Sequence, residues 1–233
     1  HLYPGLATYI QSGLVFLGTC APLLNIGSDN TKNSIYKPCW GGSISQYFNA
    51  IEQNPSIQTV VLSAYWRLML EGNFKNRREQ KQWGSNILRS TLPAELGLPD
   101  DELVYLGLSR TIDRLQKSGK RVIFVRSSPE ISEDFREFCF SRLSNTPSDQ
   151  ITCKIPKEEV NALRISEDKL LSQIRTRYPA VEIYDPMLDL CDEQYCYLIT
   201  DGKPLYRDHH HLSEYGSSIV GATLYKILTK PKL

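Results

Sequence analysis

The chain has no stretch approaching the ~18 consecutive apolar residues that a bilayer span requires, so nothing in it reads as a transmembrane helix. It also has almost no excess of one charge: 27 Lys and Arg stand against 26 Asp and Glu, a net +1 over 233 residues. That balance excludes the basic field that draws a protein onto nucleic acid, and no nucleic-acid partner is expected. Internal repeats and low-complexity segments are missing, which excludes solenoids and long linkers. There is no C-x-x-C, so zinc-ribbon and thioredoxin-type readings lose their usual signature. Methionine is missing from position 1 and no signal-peptide pattern follows, so His1 is expected to mark a boundary set by processing or cloning.

What is present fits a globular α/β protein. Apolar residues make up 41% and charged residues 23%, which excludes extensive disorder. The length suits one domain spanning residues 1–233. Four short apolar runs read as strands buried on both faces: LVFL from Leu14, TVVLS from Thr59, RVIFV from Arg121 and VEIY from Val181. Between them lie helical stripes. Ile44, Tyr47, Phe48 and Ile51 follow a Ser43 cap and precede Pro55. Val104, Leu108, Ile112 and Leu115 end at Gly119, in place for a C′ glycine. Val160, Leu163, Leu170, Leu171 and Ile174 suggest one further helix, and Val220, Leu224, Ile227 and Leu228 a terminal one. Alternating strands and helices predict βαβ units and a parallel sheet covered on both faces.

The stretch 67–101 is long and polar and carries Lys75, Arg77, Arg78 and Lys81. It reads as a solvated helical excursion, or as a lid or recognition segment, because such sheets bind ligands beyond the carboxyl ends of their strands.

Six cysteines point to an oxidising compartment, though sequence does not choose among their pairings. Neighbours in sequence give Cys20–Cys39, Cys139–Cys153 and Cys191–Cys196. A loop of about 15 residues closed in this way stabilises by roughly 3 kcal/mol in the chain-entropy model.

The segment with the most chemistry is YRDHHHLSEYG, Tyr206 to Gly216. Asp208 and His211 stand three apart before the terminal helix. A carboxylate at that spacing can accept from imidazole Nδ1, fix the tautomer and stabilise the imidazolium formed when the other nitrogen takes a hydroxyl proton. Leu212 would anchor the turn, Ser213 would cap the helix and Gly216 would permit close packing. The bland alternative is a polar loop with an incidental histidine cluster, or an adventitious metal site. A working metal site wants further ligands, and His1 is the only other histidine. No metal and no cofactor are expected.

The motif D-x-x-H-L-S-x-x-G resembles the closing block of the SGNH hydrolase superfamily, in which Asp and His of a Ser-His-Asp triad are three apart. Other segments are similar to SGNH domains fused to membrane acyltransferases of the acyltransferase-3 type. HLYPGL resembles the segment following their nucleophile block, G-D-S-H. GTCAPLLNI resembles their second block, with Cys39 as partner of its cysteine. TVVLSAYWR resembles their third strand, and LCDEQYCYLITDGKPLYRDHHHLS their closing cysteine pair, strand and triad segment. The resemblance covers most of the chain. It implies a three-layer αβα sandwich around a flavodoxin-like sheet of order 2-1-3-4-5.

Two features depart from the family. No G-D-S occurs in the chain, so the nucleophilic Ser and the sheet's central first strand are not among these residues, and the 233 residues alone are expected to be inactive. The family's third-block Asn has no counterpart near Ala64 or Tyr65. Ser63 is no substitute nucleophile, because a strand end lacks the tight turn that exposes one.

The resemblance implies acyl transfer with Asp208 and His211 as catalytic residues. Backbone around Thr19, Cys20 and Ala21 is the candidate oxyanion donor, a contribution of roughly 3–4 kcal/mol in such sites. Trp66 and Arg67 follow the third strand. They are read either as a sugar-stacking ring and a guanidinium that holds an acidic sugar or positions an ester carbonyl, or as core packing and a surface charge.

The expected parent is an O-acetyltransferase or esterase at the periplasmic face of a bacterial inner membrane. It would take acyl groups through a transmembrane domain of the same polypeptide and act on a surface glycan such as lipopolysaccharide O-antigen or peptidoglycan. The alternatives are a non-catalytic carbohydrate-binding or accessory module of the same fold, and a free-standing secreted esterase.

Overall fold

The structure is a computed structural model that describes residues 2–10, 13, 20–30, 43–73, 81, 84–131, 139 and 153–230. The LVFL run at Leu14 to Leu17 lies outside the described residues. The other three predicted strands form one parallel sheet. It comprises β2 (Thr59–Ser63), β4 (Arg121–Val125) and β6 (Glu182–Tyr184), in the order β2-β4-β6. Thr59 pairs with Arg121 and Val125 with Tyr184. These correspond to the third, fourth and fifth strands of the expected order. The interior of β4 is apolar on both faces, with Ile123, Phe124 and Val125 all fully buried, as a central parallel strand requires.

The chain forms two compact units. One comprises residues 17–127 and 164–184; the other comprises 1–16, 128–163 and 185–233.

The first of these holds the parallel sheet. Helix α2 (Ser43–Gln53) precedes β2, and a short helix α3 (Trp66–Glu71) follows it. Helix α4 (Asp100–Lys117) presents the predicted stripe of Val104, Leu108, Ile112 and Leu115, all completely buried. It ends where expected. Gly119 adopts φ 76°, and the amides of Gly119 and Lys120 close on the carbonyls of Gln116 and Leu115. Glycine adopts that left-handed geometry without the Cβ clash that other residues meet there. Gly107 lets Leu23 and Ile26 approach α4, because a Cβ there would stand 2.7 Å from Ile26 Cγ1.

The polar stretch 67–101 departs from a helical excursion. Its described part contains β3 (Asn86–Ser90), which pairs antiparallel with β1 (Ile26–Asn30). Inward Asn86, Leu88 and Ser90 alternate with outward Ile87 and Arg89, a period-two pattern that the sequence reading did not use. The third predicted helix is broken into α5 (Lys157–Ala162), in the other unit, and α6 (Ile165–Arg177). Pro156 and the acidic Glu158 and Glu159 start the first piece, and Leu163 and Arg164 separate it from the second.

The unit that carries the termini is built from ribbons and helices. β5 (Lys154–Pro156) pairs antiparallel with β7 (Tyr195–Tyr197), after the short helix α7 (Met187–Leu190). β8 (Ile199–Thr200) and β9 (Lys203–Pro204) form a hairpin whose turn, Asp201 and Gly202, has positive φ at both positions. Helix α8 (Glu214–Leu228) closes the chain, and α1 (Leu2–Ala7) packs along it.

The contact between α1 and α8 is backbone-close. A Cβ on Gly5 would fall 1.8 Å from Ser217 O, and one on Gly221 would fall 2.5 Å from Gly5 C. The Gly5 amide donates to Ser217 Oγ at 2.9 Å. One turn on, the Tyr9 and Tyr225 rings stack with centroids 5.8 Å apart. Contacts therefore advance in step along both helices, so α1 and α8 run in the same direction. The start of α1 lies level with the start of α8.

Candidate active site

Asp208 and His211 sit in a tight loop that leads into α8. Tyr206 bridges to Leu212, and the Arg207 amide donates to His211 O at 2.8 Å, so the residues between form a closed turn. Asp208 Oδ1 accepts from the amides of His210 (3.1 Å) and His211 (2.8 Å), the local turn geometry that Asp favours. Tyr206 and Leu212 are buried and anchor the loop at both ends. The Ile131 amide clamps it from outside, donating to His209 O at 2.7 Å. Beyond the loop, Ser213 caps α8: its Oγ accepts from the Gly216 amide at 3.0 Å. Gly216 is required because a Cβ there would lie 2.1 Å from Leu205 O.

That scaffold leaves one carboxylate oxygen for the imidazole. Asp208 Oδ2 lies 2.6 Å from His211 Nδ1. Both side chains are about one-quarter exposed, so the pair is shielded yet reachable. Burial by itself would raise the Asp208 carboxyl. The hydrogen bond from His211, the amides of His210 and His211 and the imidazolium charge outweigh it and hold the group well below the usual carboxylate range. An oriented, anionic Asp behind Nδ1 is an arrangement in which Nε2 can serve as a proton acceptor.

The neighbouring histidines differ from His211. His209 is buried, and His210 stacks obliquely on His211 with ring centroids 3.9 Å apart. Among the described residues, Asp208, His210 and His211 are the group whose donor atoms could converge on a cation, all within 4.8 Å of one another. Spacing in the sequence singles out Asp208 and His211 and assigns His210 no role of its own. Its place beside the pair depends on the loop's closure, which adjacency in sequence does not specify.

A family model described as an SGNH domain fused to AT3 domains matches residues 1–226. The chain belongs to this SGNH family. The periplasmic domain of the Salmonella ser. Paratyphi A lipopolysaccharide acetyltransferase is similar in fold, with a TM-score of 0.58 and 19% identity over 98% of this chain and 79% of that one. At that identity the likeness establishes the αβα fold. No curated protein matches the chain. Among the described residues, no helix is long and apolar enough to cross a membrane.

The remaining candidate positions of this SGNH chain fare differently. Thr19 lies outside the described residues. Cys20 and Ala21 are half-buried where the chain turns toward α4, and Ala21 O accepts from the Leu23 amide at 2.8 Å. Thr111 Oγ1 fixes that turn by accepting from the Leu24 amide at 3.1 Å.

Trp66 is completely buried, stacks on Phe124 and donates its indole N–H to Val125 O at 2.9 Å. In this position it packs the core and cannot stack on a sugar. Arg67 is not the exposed charge that one reading expected. It is buried at 2% exposure, with its guanidinium on Tyr65 Oη (2.8 Å) and Glu71 Oε2 (3.2 Å). An Arg so enclosed is neither a surface charge nor a grip on a sugar carboxylate.

An ionic cluster that no sequence motif announces lies at the end of β4. Glu167, 1% exposed in its side chain, accepts from the Ser127 amide at 3.0 Å and from Arg126 at 3.3 Å. Arg164 stands 4.0 Å away on its other side. The sequence signal available was weak, a lone Arg three residues before a Glu.

The cysteines divide. Cys191 and Cys196 are disulfide-bonded as expected. Cys20 is also in a disulfide, while its expected partner Cys39 lies outside the described residues. The expected Cys139–Cys153 bridge is not formed. Both are free buried thiols in contact with one another, and burial together with Cys153 pushes the Cys139 thiol up to about 12.

Proposed function

We propose that Asp208 and His211 are the acid–base pair of a serine acyl-transfer site. In this reading the chain is the periplasmic SGNH part of a membrane-tethered O-acetyltransferase or esterase that acts on a surface glycan such as lipopolysaccharide O-antigen or peptidoglycan. The observation that carries the reading is the 2.6 Å contact from Asp208 Oδ2 to His211 Nδ1, set in a loop braced by backbone hydrogen bonds.

The chemistry runs in two halves. A serine hydroxyl attacks an acyl ester carbonyl while His211 Nε2 takes the hydroxyl proton. The tetrahedral oxyanion collapses, expels the leaving oxygen, and His211 returns the proton to it. An acceptor hydroxyl then attacks the acyl-enzyme, gives its proton to His211, and the serine leaves with that proton. A sugar hydroxyl as acceptor gives transfer; water gives hydrolysis. Asp208 stabilises the imidazolium in both halves.

The parallel run of α1 beside α8 supports the placement of the nucleophile. A serine presented just ahead of α1 stands at the level of the turn that holds His211. Fusion to AT3 domains in the family supports a transmembrane partner domain that delivers the acyl group. The similar Salmonella domain is named as part of a lipopolysaccharide acetyltransferase, which favours a glycan acceptor.

The test is a version of the protein extended N-terminally through a G-D-S block. It should hydrolyse p-nitrophenyl acetate, and His211→Ala should reduce turnover by at least about 10²-fold, the contribution of a positioned base. Equal turnover by both proteins overturns the enzymatic reading. In that case, glycan binding that survives His211→Ala would favour the carbohydrate-binding module.

A further inference from the structure

We infer that Asp208, His210 and His211 form a binding site for a late transition-metal cation of the zinc type, and that occupancy switches the pair out of its catalytic tautomer. The inference goes beyond acyl transfer: the switching consequence rests on that reading, whereas the binding does not.

The donor set and its placement carry the argument. Nδ1 of His210 lies 3.6 Å from Asp208 Oδ1, and Nδ1 of His211 lies 2.6 Å from Oδ2. Two imidazole nitrogens thus face a single carboxylate, and the three donor atoms lie within 4.8 Å of one another. Imidazole nitrogen with one carboxylate suits zinc, copper or nickel, whereas calcium and magnesium prefer all-oxygen ligation. The three residues come from one four-residue turn fixed by the amides of His210 and His211, so the donors are gathered before any cation arrives. His210 is 12% exposed in its side chain, Asp208 23% and His211 29%, so the three are shielded but not sealed from solvent.

Metal binding would change the contact between Asp208 and His211. Ligands at ~2.0–2.1 Å around a tetrahedral zinc stand about 3.3 Å apart. The 2.6 Å separation of Asp208 Oδ2 and His211 Nδ1 must therefore widen by less than an ångström. The proton between them must leave, since Nδ1 now gives its lone pair to the metal. The neutral ring carries its one proton on Nε2 instead, so its charge is unchanged and its tautomer is inverted. Nε2–H is a donor and cannot take a hydroxyl proton. A zinc ion at this site therefore blocks general-base catalysis without touching the nucleophile.

Zinc binding is measured on the untagged 233-residue chain by competition with a chromophoric chelator, alongside His210→Phe and Asp208→Asn. Phe keeps a ring against His211 and removes the nitrogen; circular dichroism checks that both variants fold. The expected result is one zinc per chain, at least tenfold weaker in each folded variant. Nitrogen-15 NMR of His211 should show the proton moving from Nδ1 to Nε2 as zinc is added. No binding, equal affinity in all three proteins, or a His211 tautomer unchanged at saturation would each overturn the inference. Because these readouts need no turnover, their failure is distinct from failure of the acyl-transfer reading.

Discussion

Asp208 gathers three donors on one carboxylate: the amides of His210 and His211 and the imidazole of His211. These bonds hold the loop in one shape and orient the His211 ring. Asp208→Asn in the extended protein keeps the side chain's shape but removes the charge and lets the ring take the wrong tautomer. Esterase turnover should fall about 10²–10⁴-fold. The sign of the pH effect follows from the lowered Asp208 carboxyl. A depressed acid contributes stability above its unfolded value, and the contribution is lost only as pH falls through the folded one. Carbon-13 NMR should therefore find Asp208 still ionised at pH 3.8, where an unperturbed Asp is half protonated. Cys139 shows the opposite sign, with burial pushing its thiol up to about 12. The thiolate is the reactive form, so the native protein should resist iodoacetamide at pH 8. Unfolding without reductant should then expose Cys139 and Cys153 to labelling, as peptide mapping can check.

At the scale of elements, the site depends on how two helices meet. Gly5, Gly221 and Ser217 let α1 lie against α8 with backbone in contact. Gly221→Ala would force them apart, an overpacking cost of about 1–3 kcal/mol. Ser217→Ala would remove the hydroxyl to which the Gly5 amide donates, a cost of about 0.5–1.5 kcal/mol. Denaturant unfolding should register both. On the proposed function, Gly221→Ala in the extended protein should also lower esterase turnover. The caps were legible because they obey near-neighbour rules: Ser213 before α8 and Gly119 after α4 are where spacing puts them. β3 was not legible. Its alternation is masked by a polar inner face, with Asn86 and Ser90 buried on either side of Leu88.

At the scale of the whole molecule, chain segments far apart in sequence complete each unit. Residues 164–184 join 17–127, and Glu167 fastens them by meeting Arg126 and the Ser127 amide at the end of β4. Burial raises the Glu167 carboxyl, against the pull of Arg164 and Arg126. Glu167→Ala would leave buried cationic side chains without that partner and should destabilise by about 3–5 kcal/mol, read from urea unfolding.

Sequence by itself determined the three described parallel strands, the buried stripe of α4 and the spacing of the Asp208–His211 pair. Each rests on chemistry between residues a few positions apart, or on runs whose apolarity demands burial. Tertiary structure alone decided that Trp66 is enclosed, that Arg67 is buried on Tyr65 and Glu71, that Cys139 and Cys153 remain thiols, and that His210 faces the carboxylate. Those outcomes depend on which distant segment arrives beside each side chain, and burial acts on the assembled surface rather than on the chain's local order.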